Sequence, residues 1–136
     1  FYFKLFFSSI SFEYLLINNN QADYGGGVYA RYDCAPVFNY VSVIENTAGQ
    51  GGGMRFRDNA NPMISNCTIK WNTSSGEGGG VYCNNADPKI VYTSIIANIA
   101  NEGKDVTIVT YSIMVSKSLE ASKIIKEKHF CCGCFY

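Results

Sequence analysis

The chain is 136 residues long, about one domain's worth, and eleven basic residues balance eleven acidic ones, so no net field draws it to nucleic acid or to an anionic membrane. No apolar run approaches the roughly 20 residues of a membrane helix, and the first residues lack the basic start and cleavage site of a signal peptide. Thirteen Gly, ten Tyr and nine Phe beside three Pro favour β structure with tight corners over helical bundles, and the Phe at position 1 points to a fragment.

Along the chain a period of 26 residues governs the organisation. Asparagine recurs at Asn20, Asn46, Asn72 and Asn98, and proline at Pro36, Pro62 and Pro88. Glycine triplets at Gly25–Gly27, Gly51–Gly53 and Gly78–Gly80 each precede a short alternation: Val28-Tyr29-Ala30, Met54-Arg55-Phe56 and Val81-Tyr82-Cys83. The third triplet is displaced by one residue, and the columns realign before Pro88. Further columns are apolar or small: Phe12, Phe38, Ile64, Ile90; Leu15, Val41, Cys67, Thr93; and Ile17, Val43, Ile69, Ile95. Such columns fit an inward-facing stack, with Phe38, Val41 and Val43 pointing to the core.

Each repeat therefore predicts three short strands, separated by a Gly/Asn corner, a polar loop and a tight bend. Parallel strands need a return of a dozen or more residues, and a coil of this length supplies it. Stacked about 4.8 Å apart, like residues lie on like residues, so the asparagines can form an amide ladder along the axis. Glycine triplets supply positive φ at the corner and let backbones approach, and proline just before the second strand spares the ladder a missing donor. These columns read as architecture rather than chemistry.

The run from Asn59 through Pro62 and Cys67 to Asn72, closed by Gly78-Gly79-Gly80-Val81-Tyr82, resembles the right-handed parallel β-helix repeat of pectin-lyase-like folds and of bacterial polymorphic outer-membrane and other surface proteins. Residues 94–112 resemble the usual sequence near the end of such a helix, so the likeness covers about 8–112. The fold expected is all-β, a right-handed parallel β-helix of about four coils. Residues 1–112 form the coils, and 113–136 a divergent Lys/Cys-rich tail. The family hosts lyases, hydrolases, adhesins and non-catalytic passengers, so fold alone assigns no activity.

In the enzymes of that family, substrate lies on the outer face of the strand after the glycine corner. Here that face offers Tyr29, Arg55 and Tyr82, with Arg31 and Arg57 two places on. Aromatic rings among guanidinium groups suit sugar stacking and bidentate carboxylate contacts, so these five form a candidate glycan strip projecting to solvent. On that expectation Arg55→Ala weakens binding more than folding. The plainer reading is that Tyr and Arg simply fit an exposed pleated face. Asp33, Asp58 and Asp87 are weak calcium candidates in the polar loop, where solvated aspartates are ordinary. The strip carries no carboxylate pair for glycoside hydrolysis; Glu77 has Gln50 and Tyr24 as its equivalents.

Cys67 and Cys83 fall in inward columns and Cys34 in the loop beside Pro36, with no spacing that demands a disulfide. After Ser112 the repeat stops. Residues 116–128 are rich in lysine and read as an amphipathic capping helix, with Val115, Leu119 and Ile125 at near-helical spacing, and His129, Cys131, Cys132 and Cys134 crowd too closely for a good zinc site. The reading is a non-catalytic, monomeric module of a secreted or cell-surface protein, structural or adhesive and in contact with polysaccharide or surface glycan, without a cofactor. The alternative is a fragment of a polysaccharide lyase or glycoside hydrolase whose catalytic coils lie elsewhere.

Overall fold

The computed structural model describes residues 3–6, 9–102 and 108–109. Within them the chain winds into a parallel β-solenoid of about three turns with no helix. Sheet A contains Phe3–Phe6, Val28–Arg31, Met54–Arg57 and Val81–Asn84. Sheet B contains Ser11–Glu13, Val37–Asn39, Met63–Ser65 and Lys89–Val91. Sheet C contains Leu16–Asn18, Ser42–Ile44, Thr68–Lys70 and Ser94–Ile96, and Ile108–Val109 joins its last strand antiparallel. Sheet D contains Gln21–Tyr24, Thr47–Gln50, Thr73–Ser74 and Ile99–Ala100.

The fourth sheet corrects the expectation of three strands per coil. Its inward positions are Ala22, Ala48, Ser74 and Ala100, too small to leave an apolar alternation in the sequence. The segments pair because each stacks on its own equivalent, which periodicity within one coil cannot report. The predicted tail helix, with Val115, Leu119 and Ile125, lies outside the described residues, as do His129, Cys131, Cys132 and Cys134.

The register follows the columns. Phe12, Phe38, Ile64 and Ile90 align in sheet B, and Ile17, Val43, Ile69 and Ile95 in sheet C. In sheet A, Val28 faces Met54, which faces Val81 one residue further on, so the extra residue enters between Ser74 and Val81. Lys89 is back in step with Met63. Phe38, Phe56, Ile17, Met54, Ile64 and Ile69 are fully buried in one core, and Phe12 stacks on Phe38 with ring centroids 5.1 Å apart. Truncating Phe38 or Phe56 to Ala is expected to cost roughly 3–5 kcal/mol.

The asparagines form a continuous ladder at the start of sheet D. Nδ2 of Asn20, Asn46 and Asn72 each donates to the next Oδ1, at 2.9, 3.0 and 2.9 Å. The backbone N–H of each donates to the same oxygen. The second amide hydrogen of Asn46, Asn72 and Asn98 goes to the carbonyl of Ile17, Val43 and Ile69. Asn46 and Asn72 are completely buried, and every donor and acceptor of their side chains is used. The glycine corner closes against this ladder. Gly51 has φ of +68°, open to glycine without strain, and a Cβ on Gly53 would come 3.0 Å from Asn72 Nδ2.

The other corners turn through left-handed residues that are not glycine. Between sheets B and C these are Tyr14, Tyr40, Asn66 and Tyr92, and between C and D they are Asn19, Glu45, Trp71 and Ala97. For residues other than Gly and Asn such a conformation costs about 1 kcal/mol or more. Coil-to-coil hydrogen bonds on either side offset that cost.

Candidate functional site

The strip predicted to face solvent is largely enclosed. Tyr29 is 4% exposed and Arg55 5%, while Tyr82, Arg31 and Arg57 are half-buried. The glycine corner is the cause, because it folds the end of sheet D beside the outer face of sheet A. The Arg55 guanidinium carbon lies 4.2 Å from the ring centre of Tyr24, 5.2 Å from Tyr29 and 5.4 Å from Tyr82. Its Nη2 donates to Gln50 Oε1 at 2.9 Å, and Gln50 Nε2 donates to Glu77 Oε2 at 3.4 Å. Nε and Nη1 of Arg55 have no hydrogen-bond acceptor, and tyrosine faces surround the cation instead. The Tyr82 hydroxyl is pushed above its ordinary pKa, first by burial and then by the Glu77 carboxylate, while Asn84 and Arg55 pull it down. Arg55 is thus the hub of a packed cluster spanning three coils.

Arg31 and Arg57 serve the loop after sheet A. Arg31 donates to Asp58 Oδ2 from Nε at 3.1 Å, with Nη2 at 2.9 Å, and its guanidinium stacks on Tyr32 at 3.8 Å. Arg57 Nε lies 3.0 Å from the same oxygen but off the N–H direction, an ion pair rather than a hydrogen bond. Asp33 accepts from Asn59 Nδ2 at 2.6 Å, and the backbone N–H of Asp87 donates to Asn61 Oδ1 at 2.8 Å. The carboxylates of Asp33 and Asp58 therefore serve separate partners, Asn59 for one and the two arginines for the other. Among the described residues no group of three or more His, Cys, Asp or Glu is arranged to hold a metal.

Among the described residues, Cys67 and Cys34 are buried and serve the packing of the coils. Cys67 Sγ approaches the carbonyl of Ser65 at 3.1 Å and receives the Val41 N–H at 3.4 Å. In the following coil Thr93 repeats this arrangement: its Oγ1 donates to Val91 O and accepts the Cys67 N–H. The column read as apolar or small is thus also a polar relay. Burial pushes both Cys67 and Cys34 above the ordinary thiol value of 9.0, which keeps them protonated and unreactive.

A feature without a sequence signal lies on the outer face of sheet D. There a groove of about 770 Å³ runs across the stacked coils, lined by Gln21, Asp23, Thr47, Gln50, Ser75 and Glu102. Tyr24, 47% exposed, forms one side of its wall, and Gly49 and Gly76 keep its floor low. Tyr24 and Gln50 belong to both the groove and the Arg55 cluster, which fixes that wall. Acids, amides and hydroxyls beside an aromatic ring can exchange hydrogen bonds with a polyhydroxylated ligand and stack on its apolar face. The glycines that make the floor read only as corner residues in the sequence.

No helix among the described residues is long and apolar enough to cross a membrane. The family model described as the right handed beta helix region matches residues 7–123. Comparisons with curated proteins and with solved structures gave no match.

Proposed function

Because the chain belongs to the right-handed β-helix family, a scaffold that by itself fixes no chemistry, we propose that it is a non-catalytic module of a secreted or cell-surface protein, structural and adhesive, that contacts glycan through the groove on sheet D. The observation that carries this reading is the commitment of polar side chains to one another. The Asn ladder, the Arg55–Gln50–Glu77 chain and the Arg31–Asp58–Arg57 group all join coil to coil. Side chains that join one coil to the next in this way stiffen the solenoid along its axis.

The groove supports glycan contact because it is polar, shallow and held open by backbone. Its two carboxylates do not favour hydrolysis. The backbones of Asp23 and Glu102 stand three coils apart, about 14 Å at the coil rise. Glycosidase carboxyl pairs lie roughly 5–9.5 Å apart. The surface location rests on the likeness to surface-protein repeats.

Calorimetric titration with neutral and acidic oligosaccharides tests the binding, with Asp23→Ala as the groove variant. The expected result is binding by the wild type, weakened severalfold or more in Asp23→Ala with unfolding unchanged. Turnover of any oligosaccharide would overturn the non-catalytic reading. Protease treatment of intact cells should remove the protein if it is displayed outside.

A further inference from the structure

The corner between sheets B and C carries one residue per coil: Tyr14, Tyr40, Asn66 and Tyr92. All four are left-handed, with φ of 51°, 53°, 53° and 48°. The N–H groups of Tyr14, Tyr40 and Asn66 donate to the next coil at Asn39, Ser65 and Val91, each at 3.2 Å, so the four stand in one column. The tyrosines are 77%, 49% and 53% exposed, and the rings of Tyr14 and Tyr40 stack 5.1 Å apart with planes within 2°. The third rung has no ring. Asn66 Nδ2 donates to Asn39 Oδ1 at 2.9 Å, which ties its carboxamide toward the neighbouring coil.

The corner alone does not call for tyrosine. A left-handed residue is best Gly or Asn, and Asn66 shows that this corner accepts that choice. Three exposed rings held in a disfavoured conformation are the kind of outlier that marks a site. The spacing defines what fits. With a coil rise of about 4.8 Å, a ring above Asn66 would lie about as far from Tyr40 as Tyr14 does, within the roughly 4.5–7 Å of stacked rings, and one coil rise from the Tyr92 corner on its other side.

We propose that the Asn66 rung is a stacking slot for one pyranose ring of a neutral glycan, seated between Tyr40 and Tyr92. The inference rests on the glycan-contact reading above and adds a second subsite to it. The surroundings favour a sugar over an aromatic side chain. Asn66 and Asn39 offer amides, and the half-buried Ser42, Thr68 and Ser94 lie on the adjoining strands, where ring hydroxyls need partners. No charged residue occupies the rung or its two neighbours in the column, which suits a neutral sugar rather than a uronate.

The test is calorimetric titration of the full chain with cellohexaose, chitohexaose and mannohexaose. Tyr40→Asn removes one wall of the slot, Asn66→Tyr fills it, and Tyr40→Phe keeps the stacking face. Tyr40→Asn relieves a left-handed tyrosine and Asn66→Tyr creates one, so the urea midpoints should move slightly and in opposite directions, and a loss of affinity in both cannot come from stability. The expected result is a loss of affinity of tenfold or more in Tyr40→Asn and in Asn66→Tyr, with Tyr40→Phe close to wild type. If the first two bind as tightly as wild type while Asp23→Ala loses binding, the slot is overturned and the groove stands. If the wild type binds no glycan, both are overturned.

Discussion

Asn72 Oδ1 accepts two hydrogen bonds from a single residue one coil away, the side-chain Nδ2 of Asn46 at 3.0 Å and its backbone N–H at 2.9 Å. One amide oxygen thereby satisfies a buried side chain and the chain turn that carries it. Asn72→Leu leaves both Asn46 donors without their acceptor and takes the side-chain hydrogen bond from the Val43 carbonyl. Each buried unsatisfied group costs about 1–3 kcal/mol, so a loss of about 3 kcal/mol or more is expected in urea unfolding. Asn72→Asp should be similarly harmful, because a carboxylate cannot donate to Val43 O.

Gly53 is held by the same ladder. A Cβ there would lie 2.5 Å from Gly80 O and 3.0 Å from Asn72 Nδ2. Gly→Ala commonly stabilises by about 0.4–1 kcal/mol where the backbone and space allow it. At Gly53 the sign should reverse, with a lower melting temperature by calorimetry and weakened protection of the Asn46 amide in hydrogen exchange.

Cys67 provides a pH test. Its thiol is held protonated above the ordinary value of 9.0, chiefly by burial, so the unfolded chain loses this proton first as pH rises. Stability from this group is full below about pH 8 and declines as pH climbs past the unfolded value toward the folded one. Cys34 and Tyr82 are raised too and act in the same direction. Cys67→Thr, which copies the Thr93 geometry, should fold well and lose stability less steeply between about pH 8 and pH 10. Cys67→Ala should cost about 1 kcal/mol, because the Val41 N–H loses its acceptor.

The period was legible because stacking repeats the same demand at the same place. The columns of Asn46, Phe38 and Val43 survive in sequence since each environment tolerates few residue types. Pro36 and Pro62 were legible for the same reason, each preceding a sheet B strand and accepting from the next coil through its carbonyl. Sheet D was not legible, because Ala48 and Ser74 bury too little to mark a strand. The enclosure of Arg55 was hidden for a different reason. Alternation says which side of a strand a residue takes, and here the outward side meets Tyr24 and Gln50 from across the glycine corner. Only the fold brings those residues together, and the Gly49–Gly76 floor of the groove arises in the same way.

The Tyr29–Arg55–Tyr82 strip holds coils together rather than waiting in solvent for a ligand. The most direct measurement is the urea midpoint of Arg55→Ala against wild type. Removing this side chain takes away the packing between Tyr24, Tyr29 and Tyr82 and the partner of Gln50, so a loss of about 2 kcal/mol or more is expected with an unchanged slope. A midpoint within about 0.5 kcal/mol of wild type, as for an ordinary surface position, would contradict it.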